Sequence, residues 1–313
     1  MVETRLHLGS THKKRFQMPA PIFSGVSERF DEWLGLVGQG RYGIKIPKYK
    51  SRRAAIDLSL KEGPLTDRPP LDIKLDIKEV IQRAMKALED NIPEAKWLPA
   101  ASNWKWEKSL KIASHNPSQE KTLEKLTAFL LNDGWVNQVP ICNGLVGKGR
   151  ADAARIDLAH RITDLEYELI ELKFGTEGNS GSDHPLSAVM EVVQYGLMYL
   201  LFRRRGSKLQ QDHHMLKAKR IKLIVLAPAA WYLFKLSGDP TPIPFRFGWL
   251  AEDLSCGLQE YSRQHGMKLE IKVEFQTLSS SFHAGYLGLL GGIQAFRDDA
   301  FNSRQTLFGA ANP

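Results

Sequence analysis

Only two cysteines occur in 313 residues, Cys142 and Cys256, far apart and without any Cys-x-x-Cys spacing. Neither a disulfide framework nor a structural zinc site is indicated, and a reducing cytoplasm fits. Long apolar runs are missing too: no segment reaches the ~20 consecutive apolar residues that a membrane helix needs. The first twenty residues mix Glu3 with His7, Lys13, Lys14 and Arg15, which argues against a secretory signal. Acid is in deficit, with 35 Asp and Glu against 43 Lys and Arg and a net charge of +8. The isoelectric point near 9.3 favours a polyanionic partner, nucleic acid first and anionic lipid second.

With 42% hydrophobic residues, the chain can bury a full core as one large domain or two modest ones. Residues 1 to about 75 hold many breakers, among them Pro19, Pro21, Pro47, Pro64, Pro69 and Pro70, and are expected to form loops and short strands. Within them Arg41, Lys45, Lys48, Lys50, Arg52 and Arg53 form a run without acid, which suits a solvated face or a contact to backbone phosphates. Asp76 to Asp90 has helical spacing, with Ile77, Val80, Ile81, Ala84, Met85 and Leu88 on one stripe. Trp97, Trp104 and Trp106 follow and read as aromatic anchors between two modules.

A second helix opens at Asn116-Pro117-Ser118, turns Leu123, Leu126, Phe129 and Leu130 inward, and stops at Asp133-Gly134. Strands are expected at Trp135 to Cys142, Arg155 to Arg161 and Tyr167 to Phe174. A helix from roughly Ser187 to Phe202, a parallel strand at Ile221 to Leu226, a helix near Leu250 to Gln264 and a strand from Leu269 to Phe275 complete the order. That order predicts an α/β fold with a mixed central β-sheet flanked by helices. Residues 1–110 are expected as an additional N-terminal α+β module for substrate or partner recognition, 111–280 as the main domain, and 281–313 as a C-terminal tail.

Charge appears where only hydrophobes are expected. Tyr167-Glu-Leu-Ile-Glu171-Leu-Lys173-Phe174 and, upstream, Arg155-Ile-Asp157-Leu place two acids and a lysine in apolar surroundings. Burying such charges is costly unless they pair or bind a metal. Period-two alternation sends Glu171 and Lys173 to one face of a strand, Ile170 and Leu172 to the other. The stretch from Ala159 to Glu166, with His160, Arg161, Thr163 and Asp164, reads as a strand end and a tight turn. An antiparallel hairpin would then bring Asp157 within reach of Glu171. An ion pair between Glu171 and Lys173 at a sheet edge is the plainer alternative.

The element order, Asp157, Glu171-Leu172-Lys173 and Gln194 on the next helix together resemble the PD-(D/E)XK nuclease superfamily, which includes restriction endonucleases and Holliday junction resolvases. The resemblance covers roughly residues 116 to 278, and Ile156 stands where the motif's name puts proline. It implies a restriction-endonuclease-like fold and a metal-dependent nuclease, DNA being the foremost substrate. Asp157, Glu171 and the Leu172 carbonyl would hold Mg2+, with Mn2+ able to substitute, since a hard cation takes oxygen ligands. Lys173 would orient the nucleophile or neutralise the transition state.

An acid on the helix before the three strands belongs to the same pattern. Glu120 and Glu124 share a helix face, and Glu120, nearer the helix start, is preferred as catalytic and metal-binding residue. Gln194 would serve a phosphate, a metal-bound water or Lys173, with Glu191 as a weaker companion. Arg203, Arg204, Arg205 and Lys208 extend toward His213, His214, Lys217, Lys219, Arg220 and Lys222 as a phosphate-binding surface, alongside Lys48, Lys50, Arg52 and Arg53. A catalytically inactive nucleic-acid-binding or interaction protein on the same sheet is the rival reading, and a protein partner or a second copy is left open. Gly144-Leu-Val-Gly147-Lys148-Gly149 lacks the first glycine and the Ser/Thr of a phosphate-binding loop, and His213-His214 has no second pair at ligand spacing.

Overall fold

Asp76 starts the first long helix: its carboxylate accepts the Lys78 N–H at 3.0 Å and caps α1 (Ile77–Asn91). Ile77, Val80, Ile81, Ala84, Met85 and Leu88 are then buried along one side of it, as their spacing requires. The computed structural model describes residues 22–26, 28–30, 76–109, 119–131, 133–145, 154–174, 185–206, 209, 212–234, 243–244, 248–278 and 304–309.

Helix α2 (Gln119–Leu130) precedes β1 (Trp135–Pro140), β2 (Arg155–Thr163) and β3 (Glu166–Leu172), which pair antiparallel in chain order. Asp164 and Leu165 alone make the turn from β2 to β3. Helix α3 (Pro185–Arg205) crosses to β4 (Arg220–Pro228), which runs parallel to β3. A separate two-stranded ribbon joins β5 (Leu233–Phe234) to β6 (Ile243–Pro244). Helix α4 (Gly248–Gln264) then leads to β7 (Glu270–Leu278), parallel to β4, and β8 (Gln305–Gly309) pairs antiparallel with β7. The result is a mixed six-stranded sheet of order β1-β2-β3-β4-β7-β8 flanked by helices, an α/β architecture.

Both faces of the central strands are covered, which is why β3 is buried at every position. On one face α1, α3 and α4 share a core with Tyr167, Leu169, Leu223 and Val225. On the other, Leu123 of α2 packs with Leu158, Ile170, Leu172, Ile224 and Leu226. Helix α3 lies close to the sheet because Gly196 has no side chain: a Cβ there would stand 2.5 Å from Leu223 Cδ1. That approach carries Glu191 and Tyr195 of the same helix to β3.

Two expectations change. The described part of the N-terminal segment does not stand apart as a module, because Ile22, Val26, Phe30 and the α1 stripe belong to the same core as the sheet. The tryptophans serve that union: Trp104 meets Tyr199 and Phe202 edge-on at 5.5 and 5.7 Å, and Trp97 lies 4.8 Å from Phe202. Nor is the segment after residue 280 only a tail, since β8 extends the sheet. The run Arg41 to Arg53, with Lys48, Lys50, Arg52 and Arg53, lies outside the described residues, as does Lys208. Among the described residues no helix is long and apolar enough to cross a membrane.

Candidate active site

The β2–β3 register ends with Leu158 opposite Ile170, and just beyond it Asp157 meets the end of β3, its Oδ2 accepting the Leu172 N–H at 3.3 Å. Both carboxylates are buried, 8% and 5% exposed, on interior strands of the sheet rather than at an edge. Lys173, the first residue past β3, is buried with them. Its ammonium donates to Glu171 Oε1 at 2.6 Å and to Glu191 Oε2 of α3 at 2.8 Å. The Tyr195 hydroxyl, one turn after Glu191, donates to Glu171 Oε2 in a short hydrogen bond.

Asp157 anchors a second group of partners. Lys121 of α2 donates to Asp157 Oδ1 at 2.8 Å and to Glu124 Oε2 at 2.6 Å. Gln138 Nε2 donates to Glu124 Oε2 at 2.9 Å and to Asp157 Oδ1 at 3.4 Å, and Asn137 Nδ2 donates to Glu124 Oε1 at 2.9 Å. The Leu172 N–H donates to Asp157 Oδ2 at 3.3 Å, linking the two groups through the backbone between Glu171 and Lys173. Four carboxyl groups thus share two ammonium groups.

The excess of acid shows in the proton affinities. Burial first, and then the charge of Asp157, hold Glu171 well above the usual carboxylate range. Tyr195 is pushed up by burial and by the adjacent Glu171. Burial raises Glu124 as well, against the pull of Lys121. Burial by itself lowers the Lys121 ammonium, but Asp157 and Glu124 outweigh it and raise the group above its ordinary value.

Among the sequence candidates, Asp157, Glu171 and Lys173 stand together, and Leu172 joins them through its N–H. Glu120 gives way to Glu124: the acid that shares Lys121 and Gln138 with Asp157 is Glu124, fully buried, while Glu120 stands half-buried a turn earlier. Gln194 is half-buried on α3, and Glu191 and Tyr195 of the same helix meet Lys173 and Glu171. Lys121 and Gln138 carried no signal in the sequence. Glu191 and Tyr195 carried a weak one, their four-residue spacing on a helix that follows the Glu-x-Lys strand.

The arginines at the end of α3 have partners inside the chain. Arg203 donates to the Ala218 carbonyl at 2.6 Å and to the Tyr199 hydroxyl at 3.1 Å. Arg204 pairs with Glu89 at 2.5 Å and Tyr261 at 2.6 Å. Arg205 lies over the Trp97 ring at 4.7 Å and within 3.4 Å of Glu94. All three tie α3 to its neighbours, so their observed contacts lie within the fold.

Among the described residues, the donor set around Asp157 and Glu171 is carboxylate oxygen without thiol or imidazole, which suits a hard divalent cation. Among the described residues no group of three or more His, Cys, Asp or Glu side chains is arranged to hold a metal ion. Any such ion would rely on the Asp157 and Glu171 carboxylates with main-chain, water and substrate oxygens. No protein-family model, no curated protein and no solved structure matches this chain.

Proposed function

We propose that the chain is a metal-dependent nuclease that hydrolyses phosphodiester bonds, DNA being the preferred substrate. One observation carries this reading: Asp157 and Glu171 are buried on adjacent antiparallel strands with the Lys173 ammonium bonded to Glu171. A stability role is a poor account of such a cluster, because buried ion pairs seldom outdo apolar packing of the same volume. Charged groups whose protonation is displaced by burial and by one another are more typical of reactive sites.

Asp157, Glu171 and the Leu172 carbonyl would hold Mg2+, or Mn2+ in its place. A cation bound there supplies a more acidic water and draws charge from the phosphate. Lys173 offers its N–H donors to the attacking water or to a phosphate oxygen, and Glu171 with Glu191 keeps it protonated and fixed. Tyr195 fixes the second oxygen of Glu171. In hydrolysis water forms the new P–O bond, the bond to the leaving oxygen breaks, and the water's proton passes to solvent or to a carboxylate.

A second reading has its own observation: all four oxygens of Asp157 and Glu171 already accept hydrogen bonds within the chain. That suits a nucleic-acid-binding or interaction protein without turnover. Incubation of the purified chain with single- and double-stranded DNA and RNA, with and without Mg2+ or Mn2+, separates the two. The nuclease reading expects divalent-dependent products that disappear in Asp157→Ala and Lys173→Ala while circular dichroism shows the fold retained. Salt-sensitive binding with no product on any substrate would leave the second reading standing.

A further inference from the structure

Lys121 comes from a different element than the strand acids, yet its ammonium sits between Asp157 Oδ1 and Glu124 Oε2 at 2.8 and 2.6 Å. These are contacts a cation makes, on oxygens that suit a hard cation. Its exposure is unlike theirs: the Lys121 side chain is 39% exposed, against 11% for Asp157 and none for Glu124. The ammonium therefore reaches in from solvent on a flexible stem, while the carboxylates it bridges are fixed. Asn137 and Gln138 hold Glu124, and the Leu172 N–H holds Asp157.

We infer that Lys121 is a built-in counter-ion which occupies Asp157 Oδ1, one oxygen of the proposed metal site, and must withdraw from it when a divalent ion enters. This rests on the proposed metal site and adds to it a residue that controls occupancy. Lys121 is a positioning residue in this role: it touches neither substrate nor reacting atoms. Without metal, it relieves the repulsion between Asp157 and Glu124 and keeps the fold intact. As metal binds, the same ammonium becomes a competitor, because a monocation and a dication cannot share one carboxylate oxygen without strong repulsion. Once displaced, it can turn to solvent along the path its exposed stem already follows. Divalent affinity is thereby set lower than the acids alone would give, so the site fills only above a threshold concentration of free ion.

The plainer role, a structural ion pair fastening α2 to β2, makes the opposite prediction for metal affinity. Mn2+ binding to the full chain, followed by the loss of the free-ion paramagnetic resonance signal, distinguishes them. Lys121→Met is expected to bind Mn2+ about tenfold more tightly than the natural chain, which corresponds to about 1.4 kcal/mol. Lys121→Arg should restore ordinary affinity, and Asp157→Asn should abolish binding in either background. Unchanged or weaker binding by Lys121→Met, with Asp157→Asn still decisive, overturns the role of Lys121 and spares the metal site. Binding that ignores Asp157→Asn, or is absent from every variant, removes the metal site and this inference with it.

Lysine-selective labelling of the natural chain gives an independent readout that needs no variant to fold. Addition of Mg2+ should raise the labelling of Lys121 several-fold while Lys173 stays protected. Labelling of Lys121 that falls or stays level at saturating metal contradicts displacement.

Discussion

The amide of Gln138 reaches Asp157 Oδ1 at 3.4 Å from a left-handed backbone, φ 53°, in the middle of β1. A residue with a Cβ pays about 1–2 kcal/mol to hold that conformation. Its neighbours Asn137 and Val139 lie opposite Leu158 and Ile156, so the strain falls on the rung of Asp157 itself. Strain of this kind gathers at working sites, where surrounding contacts impose it. Gln138→Gly and Gln138→Ala both delete the amide, but only glycine relieves the backbone. In urea unfolding the glycine variant should be more stable than the alanine variant by about 1 kcal/mol. Equal midpoints would show that the strand is not held left-handed in solution.

Lys173 places one ammonium between Glu171 and Glu191. Lys173→Met leaves those acids facing each other in a buried setting, and the expected loss is about 3–5 kcal/mol of unfolding free energy. Adding Glu171→Gln removes one of the two charges, and the double variant should recover a large part of that loss. Thermal or urea unfolding of the two single variants and the double variant gives the coupling directly. Strictly additive losses would mean that the contact between Lys173 and Glu171 carries no energy.

Strands β2 and β3 and the candidate site were legible for one reason: charge interrupts apolar runs at Asp157 and at Glu171-Leu172-Lys173, and alternation fixes how those residues can meet. The helices α1, α3 and α4 were legible from periodicity, with bounds a few residues off. Choosing Glu124 over Glu120 was beyond the sequence, because both lie on one helix face and only the packing of α2 on β1 and β2 decides which turn meets Asp157. Lys121 looked like any surface lysine because its stem is exposed and only its tip is committed. The partners of arginines 203–205 were hidden for the converse reason: Glu89, Glu94 and Trp97, which the fold sets beside Arg204 and Arg205, are distant in sequence. Strand β8 was missed because five residues joining an edge carry too little pattern.

Glu168 gives the pH dependence. Burial raises its carboxyl, but hydrogen bonds and charge from His160, 2.9 Å away, and Arg304, 2.6 Å away, outweigh that and lower it below the usual range. A carboxyl lowered on folding contributes stability that is fully present above its unfolded value, about 4.3, and is lost as pH falls through the folded one. Unfolding free energy followed from pH 7 downward should therefore fall less steeply below about pH 4.5 in Glu168→Gln than in the natural chain. Parallel curves would show that Glu168 is not paired with His160 and Arg304. The same pairing fastens the start of β8, so amide exchange in 305–309 should quicken in Arg304→Met.

Gly196 sets the distance between α3 and the sheet, and with it the placement of Glu191 and Tyr195 over Glu171. A Cβ at this position would meet Leu223 Cδ1 at 2.5 Å, too close for either group to remain in place. Gly196→Ala should cost about 1–3 kcal/mol through overpacking, despite alanine's better helix propensity. Leu223→Ala costs stability by itself, about 2–5 kcal/mol, because it opens a cavity in a fully packed layer. The two changes compensate in volume: the added methyl enters space the leucine has vacated. The double variant should therefore be more stable than the sum of the single losses predicts, by about 1 kcal/mol or more. If the losses simply add, the helix is free to move away from β4, and the position of Glu191 and Tyr195 must be set by contacts other than this one.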